Sequence, residues 1–159
     1  MIERDLYIPI ANWLSSYLKD RYAGRIKAIH AEDTHSTKLC KFIEVKGLSE
    51  FFPEHKCYDV QVDVTGVVLT KDKKTHLAIV EVKTGTISIS SFSQILGYSK
   101  IVRPDYAFII SPKGWSISLQ KLVAGFARKD ILCYFLDRYL VVAQWDMKAK
   151  TVKSGDILR

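Results

Sequence analysis

The sequence predicts an α/β domain in which a mixed central sheet is flanked by helices. Three features point there. The opening stretch carries apolar residues at helical spacing. Two valine-rich, alternating segments face each other across a charged turn. A short, continuously apolar segment, Asp105 to Ser111, lies between two helical stretches. A hairpin pairs antiparallel, whereas a buried strand reached through a helix pairs parallel, so the sheet is mixed. The 159 residues contain no linker, repeat or low-complexity tract and read as one domain, 1–159. A chain of that length buries about two-thirds of its unfolded surface on folding and needs no staple.

Residues 3–23 form the first helix, with Leu6, Ile10, Trp13, Leu14, Tyr17 and Leu18 on one face and Gly24 as its stop. Pro9 falls inside that span. Proline suits a first helical turn best, so the helix either begins near Ile8 or kinks there. Arg25 to Ala31 and Leu39 to Val45 read as strands around a polar turn, Glu32 to Lys38. Residues 47–57, with Gly47 and Pro53, read as a loop with room for one helical turn. Tyr58 to Thr70 and His76 to Thr84 are the hairpin strands, joined by Lys71-Asp72-Lys73-Lys74. Ser90 to Ile101 is helical, with Ser90 and Ser91 as caps and Phe92, Ile95, Leu96 and Ile101 as its apolar stripe. Beyond the buried strand, Ser116 to Lys129 reads as an amphipathic helix, and Ile131 to Leu136 pairs with Tyr139 to Trp145 across Asp137-Arg138. The polar tail, 148–159, reads as loose.

The net charge of +7 makes polyanions the natural partners, nucleic acid first and anionic membrane second. No apolar run approaches the length of a membrane span, and the charged start Met1-Ile2-Glu3-Arg4-Asp5 is unlike a signal peptide. Cys40, Cys57 and Cys133 are odd in number and lack CxxC spacing, which argues against a disulfide framework or structural zinc. Buried or half-buried thiols in the reducing cytoplasm are the expectation, with no membrane partner.

The chemistry concentrates in the hairpin. Glu81 and Lys83 are two apart in a strand and project from one face, while Val82 points into the core. Asp63 lies on the neighbouring strand, so two carboxylates and a lysine converge. Exposed Glu-x-Lys pairs are common and worth little. These charges, however, interrupt two very apolar strands. Phosphodiester hydrolysis needs a hard cation to polarise the phosphate and orient water. Mg²⁺ is satisfied by one or two carboxylates and keeps several waters, and the Val82 carbonyl offers a further ligand. Asp59, four residues before Asp63, is a rival carboxylate. The basic residues Lys71, Lys73 and Lys74, then Lys100 and Arg103, then Lys113 beside Trp115, are candidates for a phosphate-binding face, with solvation the ordinary alternative for any one of them. His30, His35, His55 and His76 are scattered and receive no role; His30, in a strand, is the least dismissible.

Val62-Asp63-Val64 followed by Ala78-Ile79-Val80-Glu81-Val82-Lys83 resembles the PD-(D/E)XK nuclease superfamily. The resemblance implies a restriction-endonuclease-like core, α-β-β-β-α-β, over roughly residues 3–111. It implies that Asp63 and Glu81 bind Mg²⁺, with Mn²⁺ as a substitute, that Lys83 is catalytic and that the substrate is DNA. Glu81-Val82-Lys83-Thr84-Gly85 followed by Gln94-Ile95-Leu96-Gly97-Tyr98 is similar to the RecB-like branch, which has an acidic-x-Lys-Thr-Gly run and then Gln-x-x-x-Tyr. By that likeness Gln94 and Tyr98, on one helical face, contact the DNA backbone or support Lys83. The superfamily often carries a first-helix Glu that reaches the metal, and Glu3 is the candidate, although a residue so near the terminus is ordinarily solvated. The chain departs from the pattern in lacking a proline before Asp63, and three cysteines are too few for the iron–sulfur variants. A non-catalytic binding module and a Holliday-junction-type endonuclease, which works as a dimer, are the alternatives; a two-fold homodimer suits a domain of this size.

Overall fold

The computed structural model describes residues 1–154; the end of the tail, 155–159, lies outside the described residues. Helix α1 spans Arg4–Arg21 and buries Leu6, Tyr7, Ile10, Ala11, Leu14 and Leu18, a stripe at three- and four-residue spacing. It starts at Arg4 rather than near Ile8 and runs through Pro9. The proline removes one backbone bond, and the Asp5 carbonyl left over belongs to an exposed residue that water can serve.

Strand β1, Ile26–Asp33, leads not to a second strand but to α2, Leu39–Val45. The strand expected there is overturned because Leu39, Phe42 and Ile43 are the buried residues, and their spacing is helical. Two short 3₁₀ turns, Ser49–Phe51 and His55–Cys57, occupy the expected loop. The hairpin forms as anticipated from β2, Val64–Thr70, and β3, Thr75–Val82, in antiparallel register with Val64 opposite Val80. Its first strand is shorter than expected, since residues 58–63 precede β2. Asp59 is therefore off the strand, exposed and paired with Lys38.

Helix α3, Ile89–Val102, is capped by Ser88, whose hydroxyl accepts the Ser91 N–H at 3.1 Å, rather than by Ser90 or Ser91. Its buried stripe is Phe92, Ile95, Ser99 and Val102; Ile101 faces solvent. Strand β4, Tyr106–Ser111, pairs parallel with β3. The next helix is short: α4, Ile117–Gln120, passes into a π-turn over Lys121–Gly125 and ends near exposed Phe126. The segment 139–145 divides at Leu140. Strand β5, Cys133–Phe135, pairs with two-residue β6, Arg138–Tyr139, while β7, Val141–Asp146, joins the main sheet parallel to β4. The tail is not loose at its start, because β8, Thr151–Val152, pairs with β7.

The six-stranded sheet runs β1-β2-β3-β4-β7-β8 and is mixed. Its two faces bury separate cores, one under α1 and one under α2, α3 and α4. Because β3, β4 and β7 are parallel, their C-terminal ends, and the loops after them, share one end of the sheet. Among the described residues no helix is long and apolar enough to cross a membrane. The three cysteines are free, and Cys57 is exposed rather than buried.

Helix α1 approaches β2 at Gly66, where an added Cβ would lie 2.8 Å from Leu18 Cδ1 and 2.9 Å from Leu14 Cδ2. Both leucines are fully buried and have nowhere to go. Gly66→Ala should cost about 1–3 kcal/mol in urea unfolding. An unchanged midpoint would show that α1 lifts from the sheet freely.

Candidate active site

Asp63 stands where β2 and β3 part. Its N–H donates to the Val80 carbonyl at 3.1 Å and its carbonyl accepts the Thr34 N–H at 2.9 Å, so the backbone is held from both sides. The next ladder bond is replaced. The Val82 N–H donates to Asp63 Oδ2 at 2.7 Å, and a side chain takes the place of a strand. On its other side β3 stays zipped to β4, with the Lys83 N–H donating to the Ile110 carbonyl at 2.9 Å. Val82 is buried, as expected, and Glu81 and Lys83 alternate with it.

Glu81 is only 5% exposed, an unusual position for a carboxylate. Lys83 Nζ donates to Glu81 Oε1 at 2.8 Å and lies 3.9 Å from Glu3 Oε1. Glu3, at the N-cap of α1, thus faces the cluster rather than open water. Tyr7, one turn further along α1, is buried, and its hydroxyl hydrogen-bonds to Asp63.

The electrostatics follow from burial. Loss of solvent pushes the Asp63 carboxyl above its ordinary range, against the opposing pull of the Val82 N–H, Tyr7 and Lys83. Loss of solvent and then the Asp63 charge push Glu81 up likewise. Burial pulls the Lys83 ammonium down, but the bond to Glu81 and the charges of Glu81, Glu3 and Asp63 outweigh it, and the amine sits above the usual lysine range. Three carboxylates thus share one ammonium, and the pocket has excess negative charge. Among the described residues no group of three or more His, Cys, Asp or Glu forms a ready-made metal cage. A hard cation that keeps its waters asks for less, and the oxygen donors and local charge of Asp63 and Glu81 suit one.

Gln94 and Tyr98 do share a face of α3, with Gln94 Nε2 donating to the Tyr98 hydroxyl at 3.3 Å, but neither bonds to Asp63, Glu81 or Lys83. Lys100 and Arg103 lie at the end of α3 remote from the cluster, after a helix of roughly 21 Å. The Arg103 guanidinium sits over the Phe135 ring, 4.3 Å from its centroid. Lys71, Lys73 and Lys74 crown the hairpin turn, also away from the carboxylates. Tyr106 bonds to Tyr22 at 2.7 Å, and Trp115 packs against the core. Tyr7 escaped notice in the sequence, although its i, i+4 spacing from Glu3 is a signal for a shared helical face. No protein-family model matches the chain, and no curated protein matches it.

The buried carboxylate pair should weaken the cation-free fold. Each acid holds a proton more readily folded than unfolded, so stability rises as pH falls through the raised folded-state range. Glu81→Gln should therefore melt higher than wild type at neutral pH in EDTA, by about 2–4 °C for each kcal/mol relieved. The gap should close as pH drops through that range. A variant melting lower at neutral pH would show that the Lys83 pairing outweighs the repulsion.

Proposed function

We propose that this protein is a metal-dependent deoxyribonuclease that hydrolyses phosphodiester bonds with Asp63, Glu81 and Lys83. The observation that carries the proposal is the convergence of two solvent-deprived carboxylates and one lysine where β2 and β3 part. The topology adds support. With α2 and the two 3₁₀ turns taken as an insertion between β1 and β2, the order α1, β1, β2, β3, α3, β4 is compatible with the α-β-β-β-α-β core of the PD-(D/E)XK nucleases, with a hairpin beside the acids and a parallel strand after the helix. The Gln94–Tyr98 pair on α3 fits the RecB-like branch.

When bound, Mg²⁺, or Mn²⁺ in its place, polarises the phosphate and activates water. Asp63 and Glu81 would hold it, with Glu3 reaching in from α1. The Val82 carbonyl would add a ligand, since in an extended strand it points to the same side as the N–H that Asp63 accepts. Lys83 is kept charged by its neighbours, which suits it to orient the attacking water and to neutralise charge on the phosphate as the new P–O bond forms.

Labelled single-stranded, duplex and four-way-junction DNA should reveal cleavage with Mg²⁺ or Mn²⁺ and none in EDTA. Lys83→Ala should lower the rate by about 10²–10³-fold with DNA affinity retained. Cleavage that persists in that variant would remove Lys83 from the reaction. Binding without cutting by wild type, with either metal, would make the domain a non-catalytic nucleic-acid module.

Lys113, Lys148 and Lys150 are exposed in the loops after β4 and β7, at the end of the sheet that carries Glu81. Replacing all three with alanine should weaken DNA binding across sequences and reduce the salt slope by about 3. Lys100→Ala with Arg103→Ala should do much less. The reverse ranking would put the DNA path along α3, where the sequence places it.

A further inference from the structure

Beside the carboxylates stands an imidazole that none of these steps uses. The segment Asp33-Thr34-His35 closes β1, and its middle residue is tied to the site's own backbone. The Thr34 N–H donates to the Asp63 carbonyl at 2.9 Å, and the buried Thr34 hydroxyl donates to the Val62 carbonyl at 2.9 Å. His35 is then held twice. Its Nδ1 lies 2.6 Å from Asp33 Oδ1, which also accepts the His35 N–H at 3.1 Å. Its ring stacks on Tyr7, with centroids 4.9 Å apart and planes 28° from parallel. Tyr7 in turn bonds to Asp63. An ionised carboxylate only accepts, so Nδ1 carries the proton shared with Asp33 and Nε2 is the outward nitrogen. The side chain keeps 27% of its surface exposed. Two other imidazoles are engaged elsewhere: His55 Nδ1 lies 2.9 Å from the Phe52 carbonyl, and His76 stacks on Tyr22 at the N-terminal end of β3; His30 lies within β1, pairing with Val67.

We propose that His35, oriented by Asp33, is a further catalytic residue of this site: the general acid that protonates the leaving sugar oxygen. The proposal rests on the nuclease reading above. As the water oxygen forms its bond to phosphorus, the bond from phosphorus to the leaving sugar oxygen breaks, and its electron pair stays on that oxygen. The imidazolium Nε2–H gives its proton to the oxygen, which departs as a hydroxyl. Neutral His35 keeps its Nδ1–H on Asp33. The attacking water sheds one proton to solvent, and solvent returns one to Nε2.

The test compares two substrates. DNA has a poor leaving group that needs a proton; a thymidine p-nitrophenyl phosphodiester has a good one that does not. His35→Gln should slow DNA cleavage by about 10²–10⁴-fold yet leave nitrophenolate release within about threefold of wild type. Asp33→Asn should follow the same pattern. In metal-free protein at a pH where the ring is neutral, the state left after proton transfer, ring ¹⁵N resonances should show the Nδ1-protonated tautomer, and Asp33→Asn should lose it. Equal losses on both substrates would mean a structural role only and would overturn the proposal. So would undiminished DNA cleavage by His35→Gln while Glu81→Gln is inactive, an outcome that leaves the nuclease reading standing. Wild type inert toward both substrates overturns the nuclease reading and this proposal with it.

Discussion

The bond from the Val82 N–H to the Asp63 carboxylate is the constraint on which the rest of the site depends. A hairpin that continued its ladder would pair this N–H with a carbonyl of the neighbouring strand and close the gap between β2 and β3. A carboxylate in that place satisfies the donor and ends the pairing at once. It also brings the carboxylate's charge close to Glu81, on a strand buried on both faces. The backbone of Asp63 is fixed by Val80 and Thr34, so the carboxylate is aimed by the sheet and not by a mobile loop. A site built on paired strands holds its geometry better than one built on loops, and this one uses three strands.

Helix α1 completes what the sheet begins. Its N-terminus brings Glu3 and Tyr7, one turn apart, against Lys83 and Asp63 respectively. Its remaining length is a conventional apolar stripe packed on β2 as closely as Gly66 allows. The packing that orders the helix therefore also delivers two polar groups to the carboxylates. The result is a local conflict, with three acids crowding one ammonium in a place poor in solvent. Buried like charges are unfavourable for folding, and they persist where a function uses them. A divalent cation would resolve the conflict, and without one Lys83 is the main compensation.

Much of this was legible in the sequence. The hairpin, the central parallel strand and the trio Asp63, Glu81 and Lys83 all follow from valine-rich alternation broken by charge. Residues 39–45 were not legible as a helix, because a seven-residue apolar stretch fits either period and only burial of Leu39, Phe42 and Ile43 decides. Nor was the break at Leu140, since nothing local distinguishes a strand that continues from one that changes sheets. Ser88 was passed over as a cap because Ser90 and Ser91 offered the same chemistry two residues later. His35 was invisible for a deeper reason. Its contacts are with Asp33 and Tyr7, its neighbour Thr34 holds the Asp63 backbone, and only Asp33 is near in sequence.

The two ends of the sheet differ in a way that bears on how a polyanion would approach. At one end, β3, β4 and β7 finish together, and the segments that follow carry Lys83, Lys113, Lys148 and Lys150. Ligands in open α/β sheets settle at the C-terminal ends of parallel strands, where loops diverge and leave room. At the other end, arginines are occupied by protein groups. Arg21 bonds to Tyr106, Arg138 donates to the Arg103 and Pro104 carbonyls, and Arg103 covers Phe135. A net charge of +7 says that the molecule attracts polyanions but not where. The topology separates the cations: Arg21, Arg103 and Arg138 make internal contacts at the end where Lys71, Lys73 and Lys74 crown the hairpin turn, and Lys113, Lys148 and Lys150 are exposed at the end that carries the carboxylates.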